Sequence, residues 1–383
     1  MTHAAVLAGA FLFNLGQGVL RPTLPLYLQR VFAASYRMVT WIPTVFGIGK
    51  WVANLPTGYL QDRLGRRPLM ACGLLVIAGS DVMSIVAATY PAFLAWRALA
   101  GVGWAMFATV ATTTMVDLPV ARRRGRAVSL LLMSETSGLF LGSGAGGWLY
   151  GTAGAASPFV FEAACLLVAA IIVAGWASPP APPPTAPSGS RDRRLLGEVL
   201  RTPGVILMGL TGAALIAIQT GVLVFLYPLY LANRAGLSPP AVGGLVSLTV
   251  LGRLLSLWLG GSLSDRWGRL RVLTPGLLVY AALLASLTSI THPAWLGLWS
   301  LAIGGASGLV AALPTALVGD RVSPSRHGLA IGWLRTMTDG GQILGPLVLG
   351  ALADGVDLSA PFQASAVVLA LAAWRCRLAR RPD

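Results

Sequence analysis

Charge is scarce in this chain. Only 11% of its 383 residues are Asp, Glu, Lys or Arg, and lysine occurs once, at Lys50. A soluble domain of average composition carries about a quarter charged residues, so an ordinary water-facing globule is excluded. Cysteine is limited to Cys72, Cys165 and Cys376, scattered in or beside apolar stretches. That spacing excludes a disulfide framework, a metal knuckle or a redox pair. The histidines His3, His292 and His327 form no cluster, so no metal site is expected. No GxSxG, HExxH or GxxxxGK[ST] sequence occurs, which removes the usual warrants for an esterase, a zinc protease or an ATP-driven pump. No cofactor is implied, and an enzyme embedded in the membrane is the weakest reading.

What is present is apolar sequence in blocks. The chain is 55% hydrophobic and its mean hydropathy is +0.73. A helix rises 1.5 Å per residue, so about 20 apolar residues cross a hydrocarbon core of about 30 Å. Twelve spans are expected, at 4–28, 41–61, 69–88, 91–116, 127–151, 157–177, 204–232, 240–264, 272–290, 292–318, 328–352 and 358–378. The first starts almost at Met1 without a basic leader, and is read as a retained span. A formal charge of +15 could signal nucleic-acid binding, but its distribution argues otherwise. Loops after even-numbered spans, with the tail, hold twenty arginines; the opposite loops hold Arg30, Arg37 and Arg234. This is the positive-inside pattern. It places both termini in the cytoplasm and makes the lipid bilayer, not nucleic acid, the partner of the basic excess.

The chain also repeats itself. Gly18-Val19-Leu20 with Pro25-Leu26-Tyr27-Leu28 returns as Gly221-Val222-Leu223 with Pro228-Leu229-Tyr230-Leu231, an offset of 203 residues. The same offset relates Lys50 to Arg253, Asp117 to Asp320, and Gly138-xxx-Gly142 to Gly341-xxx-Gly345. Six duplicated spans give parallel repeats. The expected organisation is a six-helix bundle at 1–178, a Pro/Arg-rich cytoplasmic linker at 179–202 and a second bundle at 203–383.

The loop after span 2 reads Gly58-Tyr59-Leu60-Gln61-Asp62-Arg63-Leu64-Gly65-Arg66-Arg67, and its copy keeps Gly261, Leu263, Asp265, Arg266, Gly268 and Arg269. The pair resembles the signature between spans 2 and 3 of the major facilitator superfamily. Arg97-xxx-Gly101-x-Gly103 resembles that family's span-4 arginine motif, although Ala100 replaces a common glutamine. Gly138-xxx-Gly142-Ser143-xx-Gly146-Gly147 resembles its antiporter motif; Ser143 replaces the usual proline, which the second copy keeps as Gly345-Pro346. The resemblance implies an all-α membrane fold, twelve transmembrane helices in two pseudo-symmetric six-helix bundles. It also implies a conformational lock in which Asp62, and an arginine bound to Asp117, close one side; Asp265 with Asp320 would do the same in the second half. Glycines 58 and 65 are expected to permit close helix approach and a tight turn. The glycine row is expected to pack helices closely.

Charges inside the spans mark the candidate solute path, since each costs about 2.5–3.5 kcal/mol on insertion scales. Asn14, Gln17 and Arg21 share one helical face, as do Arg335, Asp339 and Gln342. Lys50 lies about 18 Å along its helix from Asp62. With Arg97, Gln219, Tyr227 and Arg253, these residues are the expected substrate cavity. A structural pair of Arg97 with Asp81, or of Arg335 with Asp339, is the bland alternative, and Glu162 is read as snorkelling to the outer surface. Without intramembrane histidine, proton coupling falls to Glu135 and Asp339. Glu135 has no cation in the neighbouring turns of its span and is the better carrier; Asp339 has Arg335 one turn away.

The expected function is secondary transport of a small solute by alternating access, as a proton-coupled exporter like the drug:proton antiporter branch. The alternative on the same fold is an importer or facilitator of an anionic metabolite. Five buried cations against four acids favour an anionic or neutral amphipathic solute. The expected location is the inner cell membrane, multi-pass, with the protein a monomer.

Overall fold

The computed structural model describes residues 2–116, 121–175, 202, 204–290, 292–322 and 327–378. Every regular element among them is helical. In chain order these are α1 Thr2–Phe32, α2 Tyr36–Leu64, α3 Arg66–Ile85, α4 Tyr90–Val116, α5 Ala121–Ala153 and α6 Ser157–Ala174. There follow α7 Val205–Arg234, α8 Pro239–Trp267, α9 Arg269–Leu287, α10 Pro293–Ala311, α11 Leu313–Arg321, α12 His327–Gly355 and α13 Ala360–Leu378. Helices α10 and α11 are two parts of one span, broken at Ala312 just before Pro314. Among the described residues, eight spans are long and apolar enough to cross a membrane by length and composition alone. The other four, α2, α5, α12 and α13, carry Lys50, Glu135, the Arg335–Asp339 pair of turns, or a basic end at Arg375 and Arg377.

Two compact units form. One comprises Met1–Thr185 with Leu231–Ser247, the other Ala186–Tyr230 with Leu248–Asp383. The expected linker lies outside the described residues apart from Thr202. In the first unit α1 packs on α5 and α6, α2 on α4, and α3 on α4 and α6. The second unit repeats that plan, with α7 on α12 and α9 on α10 and α13. The segment Leu231–Ser247 is held in the first unit by backbone approach at Gly147 and Gly243. Ser247 adds a 2.7 Å hydrogen bond to the Phe140 carbonyl, and the Asn233 amide one of 3.0 Å to Gln29.

Packing obeys the 203-residue repeat in detail. A side chain at Gly49 would strike the Ala98 carbonyl and one at Gly101 the Phe46 carbonyl; Gly252 and Gly304 stand identically to Leu301 and Thr249. Tyr27 meets Phe159 at 4.8 Å between ring centroids, and the copies Tyr230 and Phe362 meet at 5.3 Å. The glycine row behaves as expected. A Cβ at Gly138, Gly142 or Gly146 would fall inside the van der Waals radius of the Phe11, Leu15 or Val19 carbonyl, so α5 lies directly on α1. Gly147 meets the Pro239 carbonyl, and Gly341 and Gly345 meet Ala213 and Ala217 of α7, where Pro346 also packs beside Gly221.

Gly58 and Gly261 correct the sequence reading. A Cβ at either meets no described residue within 4 Å, so no described helix approaches closely there. The contrast gives a stability test. Gly142→Leu should lower the midpoint of thermal unfolding in detergent, at a cost of at least about 1–3 kcal/mol from overpacking. Gly58→Ala should be neutral or stabilise by up to about 1 kcal/mol, because a mid-helix glycine carries extra chain entropy when unfolded. Equal effects would disprove the assignment of the tight seam to α5.

Candidate functional site

The duplicated loop is a sharp helix-to-helix turn. Gly65 ends α2 at φ 86° and Gly268 ends α8 at φ 92°, a region open to glycine and strained for other residues. Each closes its helix with one hydrogen bond, to the Gln61 carbonyl at 3.1 Å and the Ser264 carbonyl at 3.0 Å. In the second unit Arg269 ties the motif together. Its guanidinium reaches Asp265 at 2.6 Å, Asp320 at 3.1 Å and the Ser264 hydroxyl at 2.7 Å. The acids are more than half exposed, so each pair is worth about 0–1 kcal/mol; they suit a reversible latch better than a structural anchor. In the first copy Arg66 is buried, Arg67 exposed, and Arg63 lies over the Tyr59 ring at 4.5 Å. The Asp62 side chain and Asp117 fall outside the described residues; Arg266 is exposed.

Inside the first unit lies a polar cluster. Arg97 on α4 binds Asp81 on α3 at 2.6 Å and Ser84 at 3.2 Å, with Arg97 only 3% exposed and Asp81 wholly buried. The pair therefore engages Arg97 within its own bundle, where the sequence reading placed it in the solute cavity. Phe93 and Phe159 lie against the guanidinium at 5.7 and 5.6 Å. Glu162 on α6 also differs from expectation: it is wholly buried and accepts a hydrogen bond from Gln17 on α1. It cannot snorkel because its stem is seated on Gly16, where a Cβ would come within 2.9 Å of Glu162 Cγ. Asp81, and not Glu162, is the ion-pair partner of Arg97, and Asp81 Oδ2 and Glu162 Oε2 have no hydrogen-bond partner among the described residues.

The second unit has none of this cluster. The copies of Asp81, Ser84, Arg97 and Glu162 are Leu284, Leu287, Ser300 and Ser365. Ser300 instead bonds the Tyr227 hydroxyl, which is buried and so held within the bundle, not facing a cavity. The second unit has a cavity of about 170 Å³ in its place of interest, lined by Gln219, Arg253, Tyr280, Ser307, Thr315 and Thr338 among apolar neighbours. The Tyr280 hydroxyl and Gln219 Oε1 are buried and have no hydrogen-bond partner among the described residues. Arg253 has no carboxylate partner among the described residues. Gln219 sits on a π-helical stretch of α7, Ile218–Leu226, an irregularity frequent at functional sites. Proline is not its sole cause, because α1 keeps α geometry with Pro22 and Pro25. Tyr280 was missed in the sequence. The available signal was its mismatch with Ile77, its copy in the first half.

The remaining candidates scatter. Asn14 bonds the Ala10 carbonyl of its own helix, Arg21 and Gln342 are half-buried, and Arg335 is exposed. Lys50 stands 5.2 Å over the Trp104 ring. Glu135 is half-buried, with no hydrogen bond or ion pair to a described residue, while Asp339 is half-buried and engaged.

The Major Facilitator Superfamily sequence profile matches residues 6–248 and 209–383. Among curated proteins, the chain is 27% identical to the multidrug resistance protein MdtG of Citrobacter koseri over 97% of this chain and 94% of that one. It is 28% identical to the uncharacterized MFS-type transporter YcaD of Escherichia fergusonii over 76% and 72%. The crystal structure of the nucleoside transporter NupG superposes at a TM-score of 0.83 with 15% identity, each chain covered fully. The repeated helices, the twin glycine turns and a profile that spans both halves agree: the chain belongs to the Major Facilitator Superfamily, as a multi-pass membrane transporter of small molecules and not an enzyme.

Proposed function

We propose that this transporter is a proton-driven exporter working by alternating access. The observation that carries the proposal is that two carboxyls on the spans of the first unit, the buried Glu162 and the half-buried Glu135, form no ion pair with a described residue, while Asp81 is taken up by Arg97. A desolvated carboxyl without a cation is held most cheaply with a proton on it, so the unit has groups able to take up and release protons. Similarity to a protein named for multidrug resistance supports export. Helix α5 lies on the α1 backbone at Gly138, Gly142 and Gly146, a seam able to bend. The Asp62 and Asp265 turns, with Arg269 and Asp320, serve as the latch; Asp339, Arg21, Lys50 and Gln342 serve the solute path. The arginine-rich loops put both termini in the cytoplasm of a monomer in the inner membrane.

Inside-out vesicles from cells producing the protein test this directly. With the interior acidified, addition of an exported solute from a panel of drugs and organic anions should collapse the pH gradient. At equal protein level, Asp265→Asn should lose most of that response, because the latch loses a charge. A wild type that equilibrates solute down its gradient without moving protons would be a facilitator, and the proton-driven reading would fall. A gradient unaffected by any solute that the vesicles nevertheless accumulate would point to another coupling ion.

A further inference from the structure

Comparison of the two copies shows which residues set the cavity in the second unit apart. Trp104, whose ring covers Lys50, corresponds at the 203-residue offset to Ser307. The serine lines the cavity and spends its own hydroxyl on the Gly304 carbonyl, at 2.8 Å. A small side chain thus stands where the first copy has an indole over its cation, and Ser307 and Arg253 both line the cavity. Three further exchanges make its wall polar. Gln219 replaces Gly16, Tyr280 replaces Ile77, and Thr338 replaces Glu135. The last exchange removes the acid that the first copy has at this place, so the second copy supplies no carboxylate there to neutralise Arg253.

From this we infer that the cavity is a ligand subsite that takes the carboxylate head of an organic anion, bound by Arg253 with the Tyr280 hydroxyl and the Gln219 amide beside it. The inference rests on the transporter reading and names the chemical class of its solute. A guanidinium is always ionised and offers a planar fork of donors that matches a carboxylate. Tyr280 is 1% exposed and its hydroxyl has no hydrogen-bond partner among the described residues, so it is a donor that a carboxylate would satisfy; the Gln219 side chain turns its NH2 group to the ligand, while its Oε1 only accepts and is left to water. Water can fill such a cavity, but water does not neutralise the cation held among Leu215, Ile216 and Leu334. At about 170 Å³ the space is smaller than the 300–1,000 Å³ of drug-sized sites. It fits a head group with a short apolar body, not two charges or a bulky phosphate ester. One arginine also matches one negative charge.

The test uses the full-length protein in detergent, with benzoate, benzyl alcohol and benzylamine as probes of one shape and three charges. At constant ionic strength, benzoate should raise the thermal unfolding midpoint in a saturable way, and the alcohol and the amine should not. Arg253→Gln should weaken benzoate at least tenfold, because a charge-assisted hydrogen bond is lost. Tyr280→Phe, which removes one oxygen and keeps the packed ring, should weaken it about three- to tenfold. Equal protection by benzyl alcohol, or benzoate protection unchanged in Arg253→Gln, would overturn the proposal. If Arg253→Gln cannot be purified, Tyr280→Phe decides: wild-type benzoate affinity in that variant overturns it. These are binding measurements, so their failure leaves proton-driven export to be judged on the vesicle assay alone, and the reverse holds too.

Discussion

Glu135→Gln is expected to abolish solute movement driven by a pH gradient, down to the level of empty proteoliposomes, while counterflow of solute against solute continues. Coupling needs a group that changes charge; exchange without net proton movement does not. Glu135 is half-buried on α5, one turn before Gly138 seats that helix on the α1 backbone. No described residue holds it by a hydrogen bond or ion pair, so its charge is not committed to the scaffold. Its copy is Thr338, which shows that the fold does not require an acid at this position. Glutamine keeps the shape and removes the titration. Folding should be untouched or slightly improved, since a poorly solvated charge is lost. If pH-driven transport survives in Glu135→Gln, the proton passes elsewhere, and Glu162→Gln becomes the decisive variant because Glu162, unlike Asp81, is in no ion pair with a described residue and its Oε2 has no hydrogen-bond partner among them.

The largest stability effect is expected at Asp81. Asp81→Ala strands Arg97 in a site that is 3% exposed, and breaking one side of a buried pair costs about 3–5 kcal/mol. The variant should show a strongly lowered unfolding midpoint or fail to accumulate in the membrane. Replacing both partners, as Asp81→Leu with Arg97→Ser, should restore folding, because the second unit carries Leu284 and Ser300 at these places and packs normally. A charge pair can be exchanged for apolar packing without loss when both members go together. Transport by the double variant then separates two roles. We expect it to stay impaired, since a pair found in only one copy of a duplicated fold is not a requirement of the fold. Full transport by the double variant would mark Arg97 and Asp81 as scaffold.

The fold was legible in the sequence because its causes are local and periodic. Exclusion of charge in blocks of about twenty residues specifies spans wherever the chain inserts. Gly65 and Gly268 announce turns because the backbone there adopts a conformation that glycine alone tolerates cheaply. The row Gly138, Gly142 and Gly146 announces a helix contact because every fourth residue shares a face. Gly58 carries the same letter but no such contact. Its conservation between copies, as Gly261, looked like a packing signal, and nothing along the chain reveals whether a neighbouring backbone will come near.

The site was legible only in part. Composition and spacing identified Arg97, Arg253, Gln219 and Glu135 as residues out of place in lipid, and the repeat paired Lys50 with Arg253. What surrounds each of them depends on helices far apart in sequence. Asp81 stands 16 residues from Arg97 and is its ion-pair partner, and Gln17 stands 145 residues from Glu162 and bonds it. Depth along a helix, which the sequence does determine, suggested a snorkelling Glu162; rotation of α6 onto Gly16 buried it instead. The cavity likewise lies where the two packings differ, with a serine in its wall where the other copy has a tryptophan. Sequence alone therefore determined the spans, the duplication and the turns, because these follow from solvation and backbone freedom residue by residue. Tertiary structure alone decided which buried charges are paired and which face open volume, because that depends on the atoms a neighbouring helix brings within a few ångströms.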